Sequence, residues 1–123
     1  MSDDAVRVLV VDDDRDGADL LAELLRLNGY DVTVAYGGVE ALATIALRQP
    51  HCVLLDVGMP GMDGGEFTER LRDRYGDDIV LVAITGRASD DQRVVPTFAL
   101  VDHYLQKPVD PALLRKLLPP QHR

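Results

Sequence analysis

Cys52 is the only cysteine in the 123-residue chain, so neither an internal disulfide nor a cysteine-rich zinc site can form. Basic side chains are also scarce. Thirteen Lys and Arg stand against 21 Asp and Glu, a formal charge of −8, and a surface of that sign repels nucleic acid phosphate and anionic lipid. Direct DNA binding is therefore not expected. No apolar run approaches the roughly 20 residues that span a bilayer, and the start, Met1-Ser2-Asp3-Asp4, lacks the basic and apolar regions of a signal peptide. The cytoplasm is the expected compartment, with no membrane contact. The histidines, His51, His103 and His122, are too scattered for a metal site, and the chain has no internal repeats, linkers or low-complexity segments.

What is present is the composition of a soluble globular protein, 46% hydrophobic and 28% charged, at a length that fits one ordinary domain. Arg7 to Val11 is a β-branched apolar run that stops at Asp12, Asp13 and Asp14. Ala18, Leu21, Leu24 and Leu25 then recur at helical spacing up to Gly29, a residue suited to left-handed helix ends. Asp31 to Ala35 alternates as a strand, and Val39, Ala41, Leu42, Ile45 and Ala46 read as a second amphipathic helix ending before Pro50. A buried strand, Cys52 to Asp56, runs into the glycine-rich loop Gly58-Met59-Pro60-Gly61-Met62-Asp63-Gly64. Phe67 and Leu71 mark a third helix, and Ile79 to Thr85 is the strongest strand signal. Ser89 and Gln92 resemble a capping box for a fourth helix, which Pro96 leaves short, kinked or split. His103 to Gln106 is a brief fifth strand. Asp110 and Pro111 then open a last helix with Leu113, Leu114, Leu117 and Leu118 as its inner face. Strands alternating with helices imply right-handed βαβ crossovers and a parallel sheet covered on both faces.

In such sheets ligands bind beyond the carboxyl ends of the strands, where the strand order reverses. The residues there are Asp12 and Asp13 after the first strand, Asp56 after the third, Thr85 and Gly86 after the fourth, and Lys107 after the fifth. Carboxylates gathered in one pocket repel each other by roughly 4 kcal/mol per pair at about 4 Å and an effective dielectric near 20. A hard divalent cation relieves that repulsion, and Mg²⁺ suits one or two carboxylates with retained waters and a phosphoryl oxygen. A phosphoryl group on Asp56 would add three acceptor oxygens and further negative charge, to be shared by the cation, Lys107, Thr85 and the Gly86 amide.

The acidic pair Asp12-Asp13, Asp56 within DVGMPGMDG, Thr85 in AITG, and Tyr104-Leu105-Gln106-Lys107-Pro108 occur in order and at the spacing of a known family. The chain resembles the receiver domain of bacterial two-component response regulators over nearly its whole length. The resemblance implies a flavodoxin-like, doubly wound, five-stranded parallel sheet of order 2-1-3-4-5 with five helices, one domain over residues 1–123 with its core at about 6–118. It further implies that Asp56 accepts a phosphoryl group from the histidine of a sensor kinase or a histidine phosphotransfer protein. Asp13, Asp56 and the Gly58 carbonyl would hold Mg²⁺, with Asp12 acting through water or orienting the site. Lys107, joined to Pro108 by a cis bond, would pair with the phosphoryl oxygens. Thr85 would move onto the phosphate and Tyr104 would turn inward behind it. A downstream protein would then read the face formed by the fourth helix, fifth strand and fifth helix.

On this reading the chain is no enzyme beyond its own phosphorylation and dephosphorylation. It is a stand-alone regulator, a phosphorelay carrier, or a receiver excised from a larger protein, since only Pro-Pro-Gln-His-Arg follows the last expected helix. Two alternatives stand beside it. One is a Mg²⁺-dependent aspartyl phosphotransferase or phosphatase acting on an external substrate. The other is a receiver-like interaction module that takes no phosphate.

Overall fold

The computed structural model describes residues 5–56, 64–85, 100–107 and 109–118. Five strands form one sheet, β1 (Arg7–Val11), β2 (Asp31–Ala35), β3 (Cys52–Asp56), β4 (Val80–Thr85) and β5 (His103–Gln106), in the order β2-β1-β3-β4-β5. Every neighbouring pair is parallel. The expected order of the flavodoxin-like fold is therefore the observed one.

Burial explains the sequence of the central strands. Every residue of β3 is buried, as are Val8 to Val11 of β1, so both faces require apolar side chains and the runs are continuous rather than alternating. Successive residues still serve opposite faces. Val8, Val10, Cys52, Leu54 and Val82 pack in a cluster with Ala18, Ala22 and Leu25 of α1 (Arg15–Leu27) and with Leu114 of the C-terminal helix (Pro111–Leu117). Leu9, Val11, Val53, Leu55 and Leu81 pack on the other face with Ala41 and Ile45 of α2 (Gly38–Leu47) and with Phe67 and Leu71 of α3 (Gly64–Tyr75).

Helix ends follow local chemistry. Asp14 caps α1 by accepting from the Gly17 N–H at 3.3 Å, which gives this third acid of the run a structural task. Beyond α1, Gly29 has φ 93°, the left-handed geometry expected of it. Asp110 caps the C-terminal helix through the Ala112 N–H at 2.9 Å, with Pro111 at its first turn.

The structure corrects the inner faces of two helices. Val39 and Ala46, counted among the inward residues of the second helix, face solvent, Val39 being 86% exposed. With 3.6 residues per turn only Ala41, Leu42 and Ile45 share the inward side. Leu113 of the last helix is likewise 44% exposed, and Leu114 and Leu118 carry the packing.

Strand β5 lies at the sheet edge, with three of its four residues exposed. Its N-terminal end is clasped to the core. The Asp102 carboxylate accepts from the Leu81 N–H at 2.8 Å and from Arg72 at 2.9 Å, while Arg72 also donates to the carbonyls of Leu100, Gly76 and Ile79. The Asp102 N–H in turn donates to the Leu81 carbonyl at 2.8 Å. The expected fourth helix with Pro96 lies outside the described residues, as do Gly58, Gly86 and Pro108.

Candidate functional site

Strand order reverses at β1, whose neighbours are β2 on one side and β3 on the other. Crevices form at such reversals because the connections leave in opposite directions. Register does the rest. Val11 lies opposite Leu55, so the next residues, Asp12 and Asp56, emerge side by side.

Asp56 is 9% exposed and Asp12 is half-buried, whereas Asp13 is exposed. One carboxylate oxygen from each of these three lies within 4.8 Å of the others. Asp12 is oriented on both sides: its Oδ1 accepts from the Asp14 N–H at 2.9 Å, and its Oδ2 lies 3.6 Å from the Lys107 ammonium. The same ammonium lies 3.6 Å from Asp56 Oδ2. Among the described residues one cation thus faces two carboxylates, an excess of acid over base.

Electrostatics express that excess. Burial pushes the Asp12 carboxyl above its ordinary range. The Asp14 N–H pulls it down, a hydrogen bond and the charge of Asp56 push it up, and Lys107 pulls it down. A carboxyl whose charged form is disfavoured by burial and by a neighbouring acid is one that a divalent cation would relieve, and an all-oxygen donor set of carboxylates suits a hard ion.

Thr85 ends β4 and is 1% exposed. Its carbonyl accepts from the Lys107 N–H at 2.7 Å, so the pairing of β5 with β4 delivers the lysine to the acids. Tyr104 lies opposite Ala83 in the ladder and is 48% exposed. The structure therefore gathers Asp12, Asp13, Asp56 and Lys107 into one cluster, sets Thr85 at its edge and leaves Tyr104 on the outer part of β5. The other expected ligands, Gly58 and Gly86, and the Lys107–Pro108 bond fall outside the described residues.

A cleft of about 550 Å³ opens beside the acids and continues along α1, past Leu20, Leu21 and Leu24, to Val109. Helical spacing placed Leu21 and Leu24 inward, but Leu20 is 61% exposed, and only the three-dimensional arrangement shows that these leucines wall a groove beside the site. Among the described residues no helix is long and apolar enough to cross a membrane.

Residues 8–119 match the family model of the response regulator receiver domain. Response regulator MprA of Mycobacterium bovis (strain BCG / Pasteur 1173P2) is 46% identical over 104 residues, covering 85% of this chain and 45% of that protein. The chain thus spans about half the length of the curated relatives it matches. Among solved structures, a CheY-like response regulator receiver domain protein from Methanospirillum hungatei JF-1 is similar with a TM-score of 0.82 at 33% identity, covering 92% of this chain and 90% of that one. A response regulator protein from Burkholderia pseudomallei, solved with a phosphorylated aspartic acid, a calcium ion and citrate, has a TM-score of 0.82 at 27% identity, covering 93% of this chain and 66% of that one. A sheet of order β2-β1-β3-β4-β5 with clustered acids facing a lysine at its reversal point, together with the family match over residues 8–119, places the chain in the response regulator receiver family of two-component systems.

Proposed function

We propose that Asp56 is the phosphoacceptor of this receiver, taking a phosphoryl group from the histidine of a sensor kinase or a histidine phosphotransfer protein. The observation that carries the reading is the buried Asp56 carboxylate with Asp12 beside it and the Lys107 ammonium 3.6 Å from both. The solved Burkholderia pseudomallei relative, with its phosphorylated aspartic acid and calcium ion, supports both the modification and the use of a divalent cation.

In the transfer, an Asp56 oxygen bonds to phosphorus as the phosphorus–nitrogen bond to the donor histidine breaks, and that bonding pair stays with the imidazole. Asp12, Asp13 and Asp56, with the Gly58 carbonyl, are the residues that would hold Mg²⁺. Bound there, the ion would offset charge on the phosphoryl oxygens. Lys107 balances the same charge, and the Thr85 hydroxyl and the Gly86 N–H would donate to the phosphoryl oxygens. Phosphoryl transfer asks a protein mainly for positioning and charge compensation, which the β1, β3 and β5 ends supply here.

Thr85 and Tyr104 form the switch in this reading. Thr85 moves onto the phosphoryl group and the half-exposed Tyr104 ring turns inward, so that a downstream protein reads the face of the fourth helix, β5 and the C-terminal helix. The chemistry is confined to the chain's own phosphorylation and dephosphorylation, carried by one receiver domain with its core at about residues 6–118 acting in the cytoplasm, without direct contact to DNA or membrane.

Incubation with acetyl phosphate and Mg²⁺, followed by intact mass measurement, tests the assignment. The parent is expected to gain one phosphoryl group and Asp56→Asn none. An unmodified parent would overturn the reading, and an adduct that persists in Asp56→Asn would assign it to another acid.

A further inference from the structure

The three long helices present different outer faces. α1 exposes Leu20 and Leu27 among the charged residues Asp16, Asp19, Glu23 and Arg26, and α3 exposes Glu66, Glu69, Arg70, Asp73 and Arg74. Between Glu40 and Arg48, α2 has no charged residue, and it turns Val39, Ala43, Ala46 and Leu47 to solvent, with Val39 86% and Leu47 89% exposed. Isolated exposed apolar residues are ordinary, but a contiguous stripe on one helix marks a contact surface.

The layout of the stripe selects its occupant. Val39 and Leu47 are equally spaced about Ala43, so an antiparallel copy of the same helix sets Val39 against Leu47 twice and Ala43 against itself. Small alanines at the centre permit close approach of the two backbones. The charges fit the same operation: Glu40 in the first turn and Arg48 just past the last turn are both exposed, and the two-fold brings each end near the opposite charge of the second copy. Glu40 Oε1 accepts from the Tyr36 N–H at 3.2 Å and Arg48 pairs with Asp31 at 3.2 Å. Both contacts are at the surface, which leaves the two side chains accessible to a second copy. The macrodipoles of antiparallel helices also oppose each other favourably.

We propose that α2 is a self-association surface, pairing antiparallel with α2 of a second copy about a two-fold axis at Ala43. Such a pairing is isologous and closes at the dimer. A stripe this short buries less than the roughly 1,200 Å² of stable complexes, so the dimer is weak and concentration-dependent. α2 packs on β2 and β1, away from the β4–β5 edge, so the inference does not rest on the phosphoacceptor reading.

Sedimentation equilibrium on the whole chain, in a concentration series reaching the millimolar range, is expected to show reversible dimers. Ala43→Glu puts like charges together at the axis and is expected to weaken association by about tenfold or more, with an unchanged circular dichroism spectrum because position 43 is exposed. Under mild oxidation Ala43→Cys is expected to link to itself. A mixture of Val39→Cys and Leu47→Cys is expected to link across faster than either variant links alone. Cys52, at 0% exposure, does not compete. A parent that stays monomeric throughout, dimers that survive Ala43→Glu, or self-linking of Val39→Cys as fast as the mixed reaction would each overturn the proposal.

Discussion

The Lys107 N–H donates to the Thr85 carbonyl across 2.7 Å, tying the residue that meets two carboxylates to the residue that ends β4. The bond is backbone to backbone, so the position of the lysine is set by strand pairing rather than by its own side chain. Replacing the ammonium therefore leaves the ladder in place and isolates its charge.

Lys107→Met is expected to slow phosphoryl uptake from acetyl phosphate by about a hundredfold, the scale of losing one positioned charge-stabilising donor. The same change is expected to raise affinity for Mg²⁺, because a positive charge 3.6 Å from both Asp12 and Asp56 has been removed. Mass measurement over time and a Mg²⁺ titration read by thermal shift separate the two effects. Unchanged uptake would remove Lys107 from the transfer step.

The Asp102 clasp gives a pH-dependent contribution to stability. Burial raises the Asp102 carboxyl, but the Leu81 N–H and the Arg72 guanidinium outweigh it, and the net shift is downward. A carboxyl lowered in the folded state stabilises above its unfolded value, and that stabilisation is lost as pH falls through the lowered one. Asp102→Asn is expected to cost about 1 kcal/mol at neutral pH, a charged hydrogen bond discounted for an acid 41% exposed at its side chain. Chemical denaturation of both proteins should show this gap narrowing as pH falls below about 4. A gap independent of pH would show that the carboxylate charge contributes nothing.

Gly17 stands where a Cβ would lie 2.8 Å from Asp14 Oδ2. Glycine to alanine within a helix ordinarily gains about 0.5–1 kcal/mol, but here the methyl displaces the carboxylate that caps α1. Gly17→Ala is therefore expected to gain little alone and the ordinary amount in an Asp14→Ala background. Thermal unfolding of the four proteins in this cycle provides the measurement, and equal gains in both backgrounds would show that the cap is not disturbed.

Cys52 lies at 0% exposure, and burial pushes its thiol far above the ordinary range. Since the thiolate is the reactive species, the native protein is expected to resist a thiol reagent at neutral pH and to react fully once denatured. Rapid labelling of the native chain would place Cys52 nearer the surface.

Much of this was legible in the residues. Continuous apolar runs identified β1, β3 and β4, because strands covered on both faces tolerate nothing else, and each run ended in the side chain that the sheet edge presents: Asp12, Asp56 and Thr85. Less was legible for α2, where the apolar set included Val39 and Ala46. Periodicity tells which residues share a side of a helix; a face that is apolar yet uncovered resembles one that is buried. The clasp by Asp102 and Arg72 was also hidden, since its members are 30 residues apart and no local pattern joins them.

By itself, then, the sequence determined the order of elements, the chemistry available at the strand ends and the family to which their spacing points, because these follow from local periodicity and from the identity of single residues. The tertiary structure decided that the Lys107 ammonium meets both Asp12 and Asp56 at 3.6 Å, that Asp14 caps a helix instead of joining the acids, and that α2 leaves an uncharged stripe outside. Those outcomes depend on strand register and on what packs over each face, which are properties of the whole chain brought together.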